Sequence, residues 1–492
     1  MRAFFRRLLG LGVLAATVFV ARHAVPQSPS AAASAAASAD RAPELEAAVR
    51  AIAHDGIFKS AQVGIAIIDV DTGRYLASTN EHLPLNPASN AKIYTAAAAL
   101  AMIRGDHRYE TSLSGTLKKD AVAGGLVIRG HGDPSLTTAD LSAMVNELRT
   151  YGVHRVDGDV VVDQQFYDEQ TTPPAFEQQP NEWSYFRAPV SAVALNENCI
   201  ILTIRPASGS GGTAQASFDP PGFVDVEGSI RTGDKGADNV TVALAGKGQR
   251  MSARIGGAVG EGSRVVRFTK RVEDPTLLAG YALKALLERA EIKVSGDVKA
   301  GKESGHVIVR HQSAPLSALL YAVGKNSDNF YAEMIFKTIG GEAKTRPAKS
   351  SDAAEVITTW LEKIGANDKG VIIKNGSGLF DANRVTAHSA ATLLRYVWRD
   401  TSLQPEFLAQ LAVGGVDGTL HKRFRMDSTR RKVRAKTGTL DDVIALSGYV
   451  LGPPGRGPIA FSIFFNKIGG HQDGARAAAD KLVELIARRL WK

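Results

Sequence analysis

The most constraining feature of this 492-residue chain is a pair of side chains at the start of an alanine-rich run. Ser89 and Lys92 stand three residues apart in "NPASNAKIYTAAAAL", and no breaker follows before Gly105. The run predicts a helix, and residues three apart share one helix face. The hydroxyl and the amine are expected to meet on the first turn, where the helix dipole is positive. The pattern fits an ordinary helix start or an activated nucleophile.

Two further motifs decide between these readings, because a single S-x-x-K is expected about once or twice by chance in a chain of this length. The SDN motif (Ser327–Asn329) lies between two helical runs, and Ser327 follows Ser89 by 238 residues. The KTG motif (Lys436–Gly438) leads into a strand. Taken singly, the motifs read as a helix start, an inter-helix turn and a strand start. Together, in order and in these contexts, they predict an active-serine site of the penicillin-recognising type.

Two other stretches resemble single motifs. Ser78–Asn80 reads S-T-N, and Arg231–Gly233 reads R-T-G within a glycine-rich region. Neither keeps the order or the structural context of the three motifs. A Ser-His-Asp hydrolase would need a G-x-S-x-G turn, which the sequence lacks. His131 in "GHGDP" is interpreted as a turn residue.

The chemistry explains why two lysines accompany the serine. A serine hydroxyl is a weak nucleophile and needs a base beside it. Lysine titrates near ~10.4, so lowering the pKa of Lys92 to about 7 requires roughly 4–5 kcal/mol. A second cation, Lys436, at ~5–6 Å would supply about 3 kcal/mol at an effective dielectric of ~20. Burial of the Lys92 amine would supply the remainder.

The remaining polar groups of the motifs suit the other steps of acyl transfer. A tetrahedral oxyanion needs two N–H donors, and the amides of Ser89 and Thr439 are the candidates. Ser327 is expected to relay a proton to the leaving amine. Asn329 is expected to hold the substrate amide and to orient the lysine base. Asp328 is interpreted as a brace of the loop.

Nine stretches between Val63 and the carboxyl end then extend the pattern. They are "NPASNAKIYTAAAAL", "DHRYETSL", "GHGDPSL", "APVSAVALNEN", "NSDNFYAEM", "NGSGLFDANRVT", "GVDGTLHKR", "AKTGTLDDVIALSGYV" and "IAFSIFFN". In these stretches and their order the chain resembles the class C penicillin-binding proteins, which are D-alanyl-D-alanine carboxypeptidases and endopeptidases. The chain departs from the family's usual "DGSGL" at Asn375, and Phe380 follows where a small polar residue is common.

The resemblance implies an α+β fold. A transpeptidase/β-lactamase-like domain, an antiparallel sheet flanked by helices, is expected to comprise residues 41–108 and 312–492. A long insertion, residues 109–311, is expected to form two smaller β-rich domains, with a glycine-rich part at about 206–270. The 238 residues between the first two motifs leave ample room for it.

The resemblance also implies roles for the motif residues and a substrate class. Ser89 resembles the acylated nucleophile, Lys92 its base, and Ser327 a second catalytic residue. The expected substrate-binding residues are Asn329, Lys436, Thr437 and Thr439. The implied activity is that of a serine-type D-Ala-D-Ala carboxypeptidase, with endopeptidase activity beside it. Peptidoglycan peptides and β-lactam inhibitors are the implied partners, and no cofactor is expected.

The amino terminus predicts export. Arg2, Arg6 and Arg7 form a basic region, and Leu8–Ala21 is apolar but short for a membrane span. An Ala/Ser-rich linker follows, with Ala37–Ala39 as a cleavage site, so residues 1–40 are interpreted as a signal peptide and linker. The body of the protein is therefore expected in the periplasm. An uncleaved signal would instead associate the amino terminus with the membrane.

Charge and cysteine content narrow the remaining classes. The formal net charge is +9 at pH 7, and four arginines without an acid precede Ala24, so the remainder carries 9 − 4 = +5. That mild charge suits an anionic polymer such as cell wall, and no basic-aromatic motif indicates nucleic-acid binding. Cys199 is the only cysteine, which excludes an internal disulfide. No ligand spacing indicates a metal site.

Two readings of a different kind stay open. A serine β-lactamase would share the three motifs but would release penicillin quickly, and a class A enzyme has a far shorter first interval. An exported wall-binding scaffold with an inactive site would form no penicillin adduct. The sequence leaves open the ratio of carboxypeptidase to endopeptidase activity, the diamino acid of the substrate, the oligomeric state and the role of the insertion.

Overall fold

The computed structural model describes residues 42–491, so the predicted signal peptide and linker lie outside the described residues. The helices are α1 (Pro43–Ala53), α2 (Ala91–Met102), α3 (Thr138–Thr150), α4 (Leu278–Arg289), α5 (Leu316–Gly324), α6 (Asn329–Ala343), α7 (Ser350–Lys363), α8 (Ala387–Arg399), α9 (Gln404–Gln410) and α10 (Gln472–Leu490). None of the helices in this part of the chain has the length and apolar character needed to cross a bilayer.

The strands belong to five sheets. They are β1 (Gln62–Asp69), β2 (Tyr75–Thr79), β3 (Glu110–Lys118), β4 (Ala121–Gly130), β5 (Arg155–Asp157), β6 (Val160–Asp163), β7 (Cys199–Arg205), β8 (Gln215–Asp219), β9 (Val224–Gly228), β10 (Arg231–Gly233), β11 (Thr241–Lys247), β12 (Arg250–Gly256), β13 (Ala258–Gly260), β14 (Val266–Arg271), β15 (Lys293–Val294), β16 (Val298–Ala300), β17 (His306–Gln312), β18 (Ala412–Val413), β19 (Val433–Leu440), β20 (Val443–Val450) and β21 (Ile459–Asn466).

An antiparallel sheet of six strands carries the site, in the order β18-β19-β20-β21-β1-β2. Every residue of β20 and β21 is buried, as expected for strands covered by helices on both faces. Alternate residues of β1 point to opposite faces of the sheet and pack into two different hydrophobic cores. Ala66 and Ile68 pack with α2 and α5–α8, whereas Ile65 and Ile67 pack with α1 and α10. This is the predicted antiparallel sheet flanked by helices.

The segment between α2 and α5 builds the other four sheets. β4 lies beside β3 and pairs in parallel with β5 and β6, so this part is not purely antiparallel. β17 returns to pair with β3, and Tyr109 and Ser313 bond to each other where the segment leaves and rejoins the main sheet's helices. The segment thus begins and ends at one place. Its predicted division into separate domains at 109–311 stays a prediction.

Local structure departs from the sequence reading in two stretches. The apolar pattern of residues 187–206 predicts strands, but only β7 forms there, and Asn196, Glu197 and Asn198 directly before it all take left-handed backbone angles. A helix that hydrophobic periodicity missed, α3, begins at a reciprocal cap between Thr137 and Asp140. The two helical runs predicted on either side of the SDN motif are α5 and α6.

Candidate active site

Ser89 lies in a short 3-10 turn, Ala88–Asn90, that leads directly into α2. It therefore precedes the α-helix rather than occupying its first turn. Asn86 holds the turn in place: its side-chain oxygen accepts the Ala88 N–H at 2.9 Å. The backbone of Asn86 is in turn clasped by the amide of Asn466 at the end of β21, at 2.8 and 3.0 Å. These contacts leave Ser89 half-buried at the sheet's end.

The Lys92 amine joins three stretches of chain. Its Nζ lies 3.0 Å from Ser89 Oγ, 2.7 Å from Asn329 Oδ1 and 2.8 Å from the Ser377 carbonyl oxygen. The side chain is only 1% exposed. Three acceptors match the three N–H donors of a lysine ammonium. The predicted contact between hydroxyl and amine is therefore present in the structure.

Burial controls the titration of this amine. Removal from water lowers the pKa of Lys92 from its ordinary value to about 7, because desolvation disfavours the charged form. The carboxylates of Glu333 and Asp328 act in the opposite direction. A lysine with a pKa near 7 is neutral in a large fraction of molecules at neutral pH.

The second pair of hydroxyl and amine is Ser327 and Lys436. Lys436 Nζ donates to Ser327 Oγ and to the Thr437 carbonyl, each at 2.8 Å. Lys436 is fully buried, and burial holds its pKa well below the ordinary lysine value. The charge of Lys92 lowers it further. The two lysines are thus electrostatically coupled.

The tuning of the two lysines differs from the sequence interpretation. A second cation was expected to supply most of the pKa shift of Lys92. In the structure burial is the largest cause for both amines, and the mutual repulsion is expressed in the pKa of Lys436. The reason is that both side chains are almost completely buried, which the sequence does not reveal.

Asn329 links the base to the inserted segment. Its Oδ1 accepts from Lys92, while its Nδ2 donates to the Phe186 carbonyl at 2.9 Å. The expected contact of Asn329 with the lysine is present. Asp328 caps α6, because its side chain accepts the Tyr331 N–H at 2.9 Å. The brace predicted for Asp328 is this helix cap.

Strand β19 carries the third motif past the serine turn. Thr437 is half-buried, and its hydroxyl donates to the Thr419 hydroxyl at 2.9 Å. Thr439 is exposed and lines a cavity of about 990 Å³ together with Phe186 and Phe380. β18 pairs with β19 only at Ala435 and Arg434. Beyond them, no strand of the described residues pairs with the β18-facing edge of β19.

Three contributors to the site escaped the sequence reading. Glu333 is a buried carboxylate on α6, the Ser377 carbonyl receives the Lys92 amine, and Thr419 meets Thr437. Glu333 follows Asn329 by four residues, a spacing that places both on one helix face. The other two have no local signal. In residues 42–491, no group of three or more His, Cys, Asp or Glu side chains could hold a metal ion.

The sheet and these paired Ser–Lys contacts define the class of the protein: a serine hydrolase in which lysine stands beside the serine. Comparison with known proteins agrees with this class. The profile of the D-Ala-D-Ala carboxypeptidase 3 (S13) family matches residues 45–489. A D-alanyl-D-alanine carboxypeptidase of Actinomadura sp. (strain R39) is 32% identical over 92% of this chain and 86% of its own length.

The chain therefore belongs to the D-Ala-D-Ala carboxypeptidase 3 (S13) family and is a serine-type D-Ala-D-Ala carboxypeptidase. DacB of Haemophilus influenzae, also a D-alanyl-D-alanine carboxypeptidase, is 23% identical over 87% of this chain and 89% of its own. The crystal structure of penicillin-binding protein 4 (dacB) from the same organism superimposes with a TM-score of 0.74 at 23% identity. It covers 88% of this chain and 97% of that one. This likeness confirms the fold class.

Proposed function

We propose that the protein removes the terminal D-alanine of peptidoglycan stem peptides through an acyl-enzyme on Ser89. The observation that carries the proposal is the 3.0 Å approach of the Lys92 amine, with a pKa of about 7, to the Ser89 hydroxyl. A neutral amine at that distance is a general base for the hydroxyl. The hydroxyl oxygen then attacks the carbonyl of the penultimate D-alanine, and its proton passes to Lys92.

The other motif residues take the remaining steps. The amides of Ser89 and Thr439 receive the oxyanion. Ser327, which lies 2.8 Å from the Lys436 amine, passes its proton to the departing D-alanine amine, and the proton that Lys92 took from Ser89 replaces it. Lys436 and Thr437 hold the terminal carboxylate, whose charge favours the protonated form of Lys436 against the effect of burial. Water then hydrolyses the ester on Ser89 and regenerates the enzyme.

Cleavage of peptide cross-links is the second proposed activity. The same acyl transfer applies when the leaving amine belongs to a diamino acid instead of D-alanine. The cavity of about 990 Å³ beside Thr439 supports this, because it leaves room for more than one terminal amino acid. Digestion of cross-linked wall fragments followed by mass analysis tests it directly. Release of D-alanine without any separated cross-link would contradict it.

The site of action is proposed to be the periplasm. The basic residues and the apolar stretch before residue 22 support export, and the substrate is a wall polymer. Fractionation of cells and sequencing of the mature amino terminus test this. Protein retained in the cytoplasm with an intact Met1 would overturn it, and a membrane-bound chain with an intact Met1 would indicate an uncleaved anchor.

The first prediction is that Ser89→Ala abolishes both penicillin labelling and stem-peptide turnover. The variant lacks the hydroxyl that lies beside Lys92 and forms the acyl-enzyme, so kcat/KM is expected to fall by several orders of magnitude. A structure of Haemophilus influenzae penicillin-binding protein 4 is described as complexed with a β-lactam, which supports labelled penicillin as the probe.

The matched control is Ser78→Ala, in the S-T-N stretch of β2 that lies outside the three motifs. It is expected to label and to turn over peptide like the wild type. Ser89→Ala protein with a covalent adduct or normal turnover would refute the assignment. Rapid release of labelled penicillin by the wild type would instead favour the β-lactamase reading, and absence of any wild-type adduct would favour the scaffold.

A further inference from the structure

One face of α6 carries a buried polar row that the proposed reaction uses only in part. Asn329, Glu333 and Lys337 succeed each other at four-residue intervals, so their side chains lie on one face. Glu333 is 2% and Lys337 1% exposed. Lys337 is paired with Asp168 at 2.5 Å, which ties the helix to the inserted segment. Glu333 has no part in the steps described above, although burying a carboxylate is costly unless it is well bonded.

The contacts of Glu333 lead to the loop after α7 that holds the catalytic lysine. Its Oε2 accepts the Gly376 N–H at 3.1 Å, and its Oε1 accepts the Ser377 N–H at 2.8 Å. The carbonyl of Ser377 is one of the three acceptors of the Lys92 amine. The Glu333 carboxylate therefore holds Ser377 in place, and the Ser377 carbonyl in turn holds the Lys92 amine.

A second tie holds the same loop from α2. The Thr95 hydroxyl donates to the Gly376 carbonyl at 2.8 Å, and Thr95 follows Lys92 by three residues on one helix face. The loop is thus held from two sides. Glu333 of α6 binds its amides, and Thr95 and Lys92 of α2 bind its carbonyls. Loss of either grip would free the Ser377 carbonyl to move away from the amine.

The carboxylate also acts on the lysine by charge. Glu333 is the strongest influence that raises the pKa of Lys92 against burial, and Asp328 is the next. Lys436 is a second buried cation near this pair, and the charge of Lys92 lowers its pKa. Burial raises the pKa of Glu333 itself, while the bonds from Ser377 and Gly376 lower it.

We propose that Glu333 is a positioning residue of the acylation step: it holds the Gly376–Ser377 loop so that the Lys92 amine stays on the Ser89 hydroxyl. The inference rests on the proposed function, because it assumes that Lys92 is the base. The negative charge of Glu333 has a second effect, since it holds the base at a higher pKa than burial alone would allow.

Two substitutions separate contact from charge. Glu333→Gln keeps the length and one acceptor oxygen but removes the charge. The rate of benzylpenicillin acylation is expected to fall about tenfold, since one charged hydrogen bond is lost. The acidic limb of the pH–rate profile, where acylation slows as Lys92 becomes protonated, is expected to move to lower pH, because Lys92 loses its proton more readily without the nearby negative charge. Glu333→Asp keeps the charge but withdraws the carboxylate, so acylation slows while the acidic limb stays near the wild-type position.

Thr95→Val and Glu342→Gln complete the set. Thr95→Val removes the second grip on the loop and is expected to slow acylation without moving the pH profile. Glu342 is an exposed carboxylate at the other end of α6, paired with Arg346, and its glutamine variant is the matched control. Thermal melting of each variant identifies those that are folded.

The outcomes distinguish the two levels of the argument. A folded Glu333→Gln protein with the wild-type acylation rate overturns the positioning role, and one with an unmoved acidic limb overturns the effect of the Glu333 charge on Lys92. If Ser89→Ala is unlabelled at the same time, the proposed function stands. If Ser89→Ala is labelled, the proposed function fails first. Should Glu333→Gln not fold, Glu333→Asp and Thr95→Val carry the test, and wild-type acylation in both overturns it.

Discussion

At the scale of single residues, the site depends on an amine kept in an unfavourable place. Lys92 is 1% exposed, and its pKa is about 7 against the ordinary value near ~10.4. The difference corresponds to roughly 4–5 kcal/mol of destabilisation when the amine is protonated. The three acceptors around it offset part of this cost.

This cost predicts how Lys92→Met changes stability with pH. The unfolded chain binds more protons than the folded one between about pH 7 and ~10.4, so wild-type stability rises with pH in that range. Methionine does not titrate, so any stability advantage of Lys92→Met over the wild type is largest at or below pH 7. Between pH 7 and 9 the difference is expected to shrink by about 2 kcal/mol. Urea unfolding at the two pH values measures it.

Lys363→Met, at an exposed position of α7, is the control and is expected to follow the wild-type pH dependence. Identical pH slopes for Lys92→Met and the wild type would show that the buried amine titrates as it does in water. Lys92→Met is also expected to form no penicillin adduct, because it lacks the base.

Backbone conformation marks the same place. Ala88 beside the nucleophile, Ser327 of the second motif and Phe380 at the cavity all have left-handed φ values, of +45°, +61° and +61°. Such angles cost a non-glycine residue about 1–3 kcal/mol and are maintained only by surrounding contacts. At Ala88 the Asn86 clasp is one such contact.

At the scale of elements, the closeness of β19 to the serine turn explains the glycine of the KTG motif. A Cβ at Gly438 would lie 2.8 Å from the Pro87 carbonyl oxygen and 3.0 Å from Asn90 Nδ2. The turn and the strand therefore touch through backbone. Any side chain there would separate Ser89 from Lys436 and from the Thr439 amide.

Gly438→Ala is accordingly expected to slow penicillin acylation at least about tenfold, because overpacking of about 1–3 kcal/mol falls on the geometry of the site. Stopped-flow acylation measures the rate, and thermal melting checks the fold. Gly56→Ala is the control, since a Cβ there meets nothing within 4 Å. A Gly438→Ala enzyme as fast as the wild type would mean that this approach is not needed.

At the scale of the whole molecule, the inserted segment supports the elements around the site, because three of its backbone carbonyls bind side chains of α6 and of the loop after α7. They receive side chains that border the site: Phe186 O receives Asn329, Pro174 O receives Asn375 and Gln170 O receives Lys337. All three carbonyls come from residues 170–186. The glycine-rich part at about 206–270 supplies none of them.

Removal of that part is therefore expected to spare the chemistry. Ile204 of β7 pairs with Val266 of β14, so Arg205 and Val265 lie opposite each other and an Asn-Gly turn can replace residues 206–264 between them. The shortened protein is expected to acylate within about twofold of the wild type. Its melting temperature is expected to fall, because Phe223 and Met251 leave the core of the segment.

Penicillin labelling kinetics and thermal melting test this pair of expectations, with the full-length chain as reference. A shortened protein that folds but loses acylation by more than about tenfold would place a function of the site in the removed part. That result would also argue for a direct role of this part in binding substrate.

Much of the site could be predicted because its motifs are local. Ser89 and Lys92 are only three residues apart, which is within one helical turn. Ser327 and Lys436 each begin a motif of three residues. Glu333 had a weaker local signal, its four-residue distance from Asn329. The Ser377 carbonyl had no signal, because every residue type has a backbone oxygen. Thr419 had none either, because it lies 18 residues before its partner Thr437.

By itself, the sequence determined the order of the motifs and the pairing of Ser89 with Lys92, since helix periodicity acts over a few residues. Its resemblance to a known family implied the antiparallel catalytic sheet. Tertiary structure alone decided that the Ser377 carbonyl, 285 positions away, shares the lysine amine with Asn329. It also decided that burial governs the pKa of Lys92, because exposure depends on the packing of distant segments and not on neighbours in the chain.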